Sequence, residues 1–274
     1  MMRYGIDLAT LGEYADPRAA VQFAVAAEAA GWDAFFVWDH LAFAWGVPSG
    51  DPWVILAAAA QVTTRLSLGT AVTPLPRHRP PTLARTVASL DVLSQGRVIF
   101  GAGLGGVPQE FSAFGEDAGL RLRAAQLDEG LDVLAGLWSG AAFTYRGQHY
   151  AVEGVTLAPL PVQRPRVPIW IGGHARPALR RAARWDGWLE AADDEQSEMV
   201  ARPEDVAANL AYIQQHRTAA APFAVALTGV SPAGDSARVR EYEAAGVNWW
   251  LESLHGLRGS RADLLARVMA GPPR

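Results

Sequence analysis

The chain has 274 residues and no cysteine. Disulfides, thiolate nucleophiles and cysteine-based metal centres are thereby excluded. No apolar run approaches the ~20 residues a membrane-crossing helix needs, so no membrane partner is expected. Net charge is −4 and the basic residues form no long run, which argues against nucleic acid as a partner. Met1-Met2-Arg3-Tyr4 leads into an apolar stretch without a signal-peptide pattern; with the lack of cysteine, this suits a cytoplasmic protein. There is no G-x-S-x-G elbow of a serine hydrolase. There is no H-x-H or H-E-x-x-H spacing either, so no metal ligand is assigned. No linker rich in Pro, Gly or Ser divides the chain, and residues 1–274 read as one domain.

What is present is alternation. Short apolar, β-branched runs occur at Tyr4–Leu8, Ala34–Trp38, Leu66–Val72, Val98–Ala102, Pro168–Ile171, Gly187–Glu190, Phe223–Thr228 and Val247–Leu251. Helical patterns lie between most of them. Asp16-Pro17 opens one as cap and first-turn proline, Gly31 closes it, and Leu127, Leu131, Leu134 and Trp138 repeat at helical spacing in another. Strands alternating with helices imply parallel β-α units, whose doubly covered strands read as continuous apolar runs. An open doubly wound sheet and a closed barrel both satisfy this. Eight units in a chain near the roughly 250 residues of a typical barrel favour the α/β class (β/α)₈ TIM barrel. Residues 139–166 form the one long insertion, after the fourth strand, with a hairpin-like run over 144–150 followed by Pro159, Pro161 and Pro165.

The chemistry of such a barrel sits where its strands end. Here they end in Asp39-His40, in Gly69-Thr70-Ala71-Val72, in Gly101-Ala-Gly-Leu-Gly-Gly106, in Gly172-Gly173-His174, in Glu190 and in Glu252. Asp39-His40 is the sharpest polar pair. Histidine titrates near neutrality and can move a proton or stabilise charge, although a structural histidine is the commoner case. Gly172-Gly173-His174, with Arg176 just beyond, fits a phosphate-binding turn and fits equally an ordinary tight strand-to-helix turn. Gly101–Gly106 formally matches G-x-G-x-x-G, but it follows the fourth strand, and no second strand with an acidic end comes ~20 residues later. The dinucleotide-binding fold is therefore set aside. Ten tryptophans serve mostly as packing, with some able to wall a flat cofactor.

Taken together, these segments resemble the luciferase-like family of flavin- and deazaflavin-dependent oxidoreductases. The resemblance is carried by Ala26-Ala-Glu-Ala-Ala-Gly-Trp-Asp-Ala-Phe-Phe-Val-Trp-Asp-His40, Leu66-Ser-Leu-Gly-Thr-Ala-Val72, His78-Arg-Pro80, Leu83-Ala-Arg-Thr-Val-Ala-Ser-Leu-Asp91 and Ser94-Gln-Gly-Arg-Val-Ile-Phe-Gly-Ala-Gly103. Pro161-Val-Gln-Arg-Pro165, Pro168-Ile-Trp-Ile-Gly-Gly173, Ala178-Leu-Arg-Arg-Ala-Ala183 and Asp186-Gly-Trp-Leu189 extend it. It covers residues 1–190 well and the last third weakly.

The resemblance implies coenzyme F-420 (a deazaflavin) or FMN at the C-terminal mouth. A bulge at Ala71-Val72, often a non-proline cis peptide in this family, would lie against the ring. His40 and Asp39 are implied as catalytic. Asp39, Thr70, Ala71, Val72, Gly103, Gly105, Gln109, Gly172, Gly173 and His174 are implied as cofactor-binding. Trp45, Arg77, His78 and Glu252 are assigned to a small organic substrate. Glu110 resembles a family glutamate that supports the loop. The chain departs from the family's sugar-phosphate dehydrogenases at Gly106, where they carry a glutamate. The expected activity is hydride transfer or monooxygenation, the latter fed by a separate reductase, in a homodimer. A flavin-binding protein without turnover and a metal-assisted barrel hydrolase are the alternatives.

Overall fold

Strands and helices alternate through the computed structural model, which describes residues 2–194 and 196–274. The elements run β1 (Arg3–Leu8), α1 (Pro17–Ala29), β2 (Ala34–Val37), α2 (Pro52–Val62), β3 (Ser67–Thr70), β4 (Thr73–Pro74), α3 (Pro80–Leu93) and β5 (Val98–Gly103). There follow α4 (Gln109–Ser112), α5 (Leu120–Leu137), β6 (Phe143–Arg146), β7 (Ala151–Val155), β8 (Ile169–Gly172), α6 (Arg176–Ala182), β9 (Gly187–Ala191), α7 (Pro203–His216), β10 (Ala224–Gly229), α8 (Ala237–Ala244), β11 (Trp249–Leu254) and α9 (Arg261–Met269). The helix starts are encoded locally. Asp16 and Asp51 accept from the first-turn amides of α1 and α2, each followed by proline, and Ser260 with Asp263 forms a capping box on α9.

The sheet closes on itself. β1 pairs with β2 on one side and β11 on the other, and the chain of parallel neighbours continues β2-β3-β5-β8-β9-β10-β11. With β4 prolonging β3 against β5, this is the expected eight-stranded (β/α)₈ barrel. Strand alternation sorts the side chains. Ile6, Leu8, Phe35, Val37, Phe100 and Ile171 join the layer between barrel and helices. Phe36, Ile99, Trp170, Leu189, Trp249 and Leu251 fill the barrel itself. Phe36 stacks on Trp170 at 5.4 Å and Trp170 meets Trp249 edge-on at 5.1 Å, so the interior is a packed core closed below the mouth.

Two expected details interrupt the plain alternation of strands and helices. The third strand stops at Thr70, passes through a cis Ala71-Val72 peptide and resumes at Thr73. Ala71 N–H still donates to Val37 O at 3.0 Å while Thr73 and Pro74 pair with Ala102 and Gly103. The insertion over 139–166 contains the antiparallel hairpin β6-β7. Its return is pinned by buried Asp91, which accepts from the N–H groups of Val162 (2.7 Å) and Gln163 (3.0 Å). Among the described residues no helix is long and apolar enough to cross a membrane.

Candidate active site

The residues that follow β2 meet Arg77 around one buried carboxylate that the sequence placed only as a loop support. Glu110, on the short helix α4, is 2% exposed. Its Oε1 accepts from the N–H groups of Leu41 (2.9 Å) and Ala42 (3.0 Å) and lies 3.1 Å from His40 Nδ1. Its Oε2 takes the Arg77 guanidinium. Ala42 turns left-handed, with φ 55°, and so wraps the chain around the acid. Because Glu110 is ringed by N–H donors, the His40 nitrogen facing it is the one that carries hydrogen. That leaves Nε2 as the ring nitrogen able to accept a hydrogen bond from a ligand. Trp45, half-exposed, packs 4.9 Å from the His40 ring, and Trp38 lies 5.9 Å away on another side.

Asp39 occupies the other end of this network. Arg77 bonds its carboxylate and its carbonyl oxygen (2.9 Å), and His78 Nε2 stands 3.1 Å from Oδ2. Burial by itself would raise the Asp39 carboxyl, but the hydrogen bond and charge of His78, with Arg77, hold it below the ordinary carboxylate range. Asp39 thus bonds Arg77 and His78, and it is Glu110 that meets the His40 imidazole. Arg77 and His78, expected on the substrate, are turned onto Asp39 and Glu110. Buried cations and carboxylates neutralise one another before they serve a ligand.

The floor of the mouth is apolar. Ala71 and Val72 are half-exposed at the broken third strand. Val72 fills the space that glycines leave: a Cβ on Gly103 would stand 2.5 Å from Val72 Cγ2, and one on Gly172 2.9 Å from Cγ1. Gly173, at φ +110°, turns the chain out of β8, its N–H donating to Leu189 O and its carbonyl accepting from Trp188 Nε1. His174 is exposed, its Nδ1 3.2 Å from Glu190 Oε1. Gly105 borders the mouth at φ +85° with its carbonyl held by Arg123, and Gln109 is exposed at the start of α4.

Two assignments do not reach the mouth. Thr70 is wholly buried, with its hydroxyl on Gly101 O (3.0 Å) and Thr73 Oγ1 (3.0 Å), leaving only its backbone for a ligand. Glu252 points the other way. It is fully buried and takes Arg258, Arg267 (3.2 Å), the Ser231 N–H (3.1 Å) and the Trp250 indole (3.1 Å). Strand alternation puts it with Trp250 on the helix-facing row, so it ties β11 to α9. Removing it as Glu252→Ala should cost about 3–5 kcal/mol and leave substrate KM unchanged, which denaturant melts and steady-state kinetics check together.

Two further carboxyls are strongly perturbed. Asp7, on the inward row of β1, is raised by burial, with Asp193 adding to the effect, to about 7. Glu190 is likewise raised by burial to about 7, against the opposing influence of His174. A charge inside the apolar run Tyr4-Gly-Ile-Asp-Leu8 was the signal for the first. The sign of the linkage follows. A carboxyl with a higher pKa folded than unfolded stabilises the fold fully below its unfolded value. That contribution disappears as pH rises through about 7. Melting temperature should therefore fall between pH 5 and 8, and less so in Asp7→Asn; equal slopes in both proteins would refute the Asp7 share. Among the described residues no three His, Asp or Glu side chains are grouped to hold a metal ion.

The F-420-dependent glucose-6-phosphate dehydrogenase of Microbacterium testaceum is 34% identical over 189 residues, covering 67% of this chain and 54% of that protein. The coenzyme F-420 dependent tetrahydromethanopterin reductase of Methanopyrus kandleri superposes with a TM-score of 0.78 over 98% of this chain and 96% of its own, at 17% identity. The FMN complex of the oxygenating constituent of 3,6-diketocamphane monooxygenase from Pseudomonas putida gives 0.77, covering 98% and 96%, at 14% identity. The last two likenesses are of fold. The family model for luciferase-like monooxygenases matches residues 3–266. The chain belongs to the luciferase-like monooxygenase family.

Proposed function

We propose that this protein is an oxidoreductase that moves two electrons between coenzyme F-420, or alternatively FMN, and a small uncharged organic substrate. The observation that carries the reading is the mouth itself. Its apolar floor of Ala71 and Val72 against Gly103 and Gly172 suits a flat ring, and the floor is flanked by a histidine held in one orientation by Glu110. Ala71, Val72 and Gly103 would support the ring. The Gly172-Gly173-His174 turn would hold the phosphate. When bound, a deazaflavin gives or takes a hydride and a reduced flavin activates oxygen. His40 Nε2 stabilises charge that develops at the ring edge, and Glu110 keeps the imidazole aimed. Trp45, with Phe43 and Phe114 packed edge-on at 5.6 Å, forms an aromatic rim for the substrate.

The deazaflavin is the preferred cofactor because the relative of matched sequence uses it by name and Trp38-Asp39-His40 fits the segment that meets the reactive edge. An uncharged substrate is preferred because the chain has no lysine. Two arginines near the mouth are also occupied: Arg77 by Asp39 and Glu110, Arg123 by the carbonyls of Leu104 and Gly105. Titrating F-420 and FMN separately, with fluorescence and absorbance as readouts, tests the proposal. Micromolar binding of one is expected, and binding of neither refutes it. Gly103→Ala should weaken that binding at least tenfold, because the new methyl displaces Val72 into the ring's place; such overpacking costs about 1–3 kcal/mol. Unchanged affinity would remove the floor from the argument.

A further inference from the structure

One strand over from His40, an acid stands inside the barrel. Asp7 lies on the same face of β1 as Gly5, opposite Phe36 of β2 and Ser253 of β11 in register. It is 2% exposed. Its Oδ2 accepts from Trp38 Nε1 at 3.0 Å, and its Oδ1, shielded from solvent, has no hydrogen-bond partner. Among the described residues no arginine bonds its carboxylate. β2 contributes the Trp38 indole. β11 contributes the Ser253 hydroxyl, with His255 two residues on and 3.4 Å from Ser197 Oγ. β10 contributes Thr228, whose hydroxyl donates to Asp193 Oδ1 at 2.9 Å. Asp193, on the segment after β9, is near enough for its charge to act on Asp7. Arg258, which follows β11, spends its guanidinium on Ser253 O and Glu252.

An isolated carboxylate in such a place is costly, and holding a proton is the cheaper state. A neutral acid brings one O–H. A buried donor without an acceptor is itself costly, and a ligand oxygen would supply one. We propose that Asp7 is a catalytic residue that exchanges a proton with the oxygen of an alcohol or carbonyl substrate. The inference rests on the cofactor reading above. In the oxidative direction the substrate C–H bond breaks and its hydrogen leaves with the electron pair to the oxidised cofactor. The hydroxyl proton passes to the Asp7 carboxylate, and the carbon–oxygen double bond forms. In the reductive direction protonated Asp7 returns the proton while the reduced cofactor supplies the hydride.

The test uses Asp7→Asn, which keeps an acceptor for Trp38, and Asp193→Asn. Isotope-edited infrared spectra of the cofactor-free wild type should show a protonated carboxyl band at pH 6 that titrates away near neutrality and is absent in Asp7→Asn. In Asp193→Asn the band should titrate at lower pH. With cofactor and a panel of short alcohols and ketones, Asp7→Asn should bind cofactor within about twofold of wild type. It should lose on the order of a hundredfold or more in kcat, together with the ionisation in the kcat/KM profile. No band at pH 6, or wild-type turnover and pH profile in Asp7→Asn, overturns the proposal. Failure of the wild type to bind either cofactor would instead strike the cofactor reading and leave the infrared result standing.

Discussion

Replacing Glu110 by alanine should lower the melting temperature by roughly 10 °C. The acid is buried, and its removal strands several groups at once: the N–H groups of Leu41 and Ala42, the Nδ1 hydrogen of His40 and one arm of Arg77, itself 8% exposed. Breaking a buried ion pair from one side costs about 3–5 kcal/mol. In a chain of this size each kcal/mol moves the midpoint by roughly 2–4 °C. The low end is expected, because Asp39 still holds the other arm of Arg77. Glu110→Gln should cost less, since its side-chain oxygen still accepts from the two amides. Calorimetry of the two variants separates these effects. A shift under 2 °C for the alanine variant would mean that the loop around His40 is held by something else.

The second large effect concerns turnover. His40→Ala should reduce the rate of electron transfer on the order of a hundredfold, the usual loss when one aimed charge-stabilising group is removed. Cofactor affinity should change only a few-fold, because floor and turn are untouched. Stopped-flow half-reactions with prebound cofactor, compared with equilibrium titrations, give both numbers. A variant with full turnover, or one that loses binding and rate in equal measure, would show that His40 holds the cofactor instead of assisting it.

How much of this was legible in advance varies by element. The alternation of apolar runs with capped, proline-initiated helices carried the barrel, because each unit is a local pattern with local start signals. The break at Ala71-Val72 was foreseen through resemblance to a family, with no signal in the composition itself. The eighth strand was placed at Val247–Leu251 and in fact runs Trp249–Leu254. That offset made Glu252 look like a strand end at the rim, whereas it sits inside the strand on the helix-facing row. Asp7 escaped notice because one acid in an apolar strand is silent until the face it occupies is known.

The sequence by itself determined which stretches become strands, which become helices, and that glycines and polar residues gather where the strands finish. Short-range periodicity and capping encode all of these. Tertiary structure decided the partnerships. Glu110 meets His40 across 70 residues, and Arg77 meets Asp39 across 38, because closing the barrel buries them together and buried charge must be neutralised. It also decided direction. A period of two says which residues share a face, but only closure of the sheet makes one face the inside, setting Asp7 inside the barrel and Glu252 behind it.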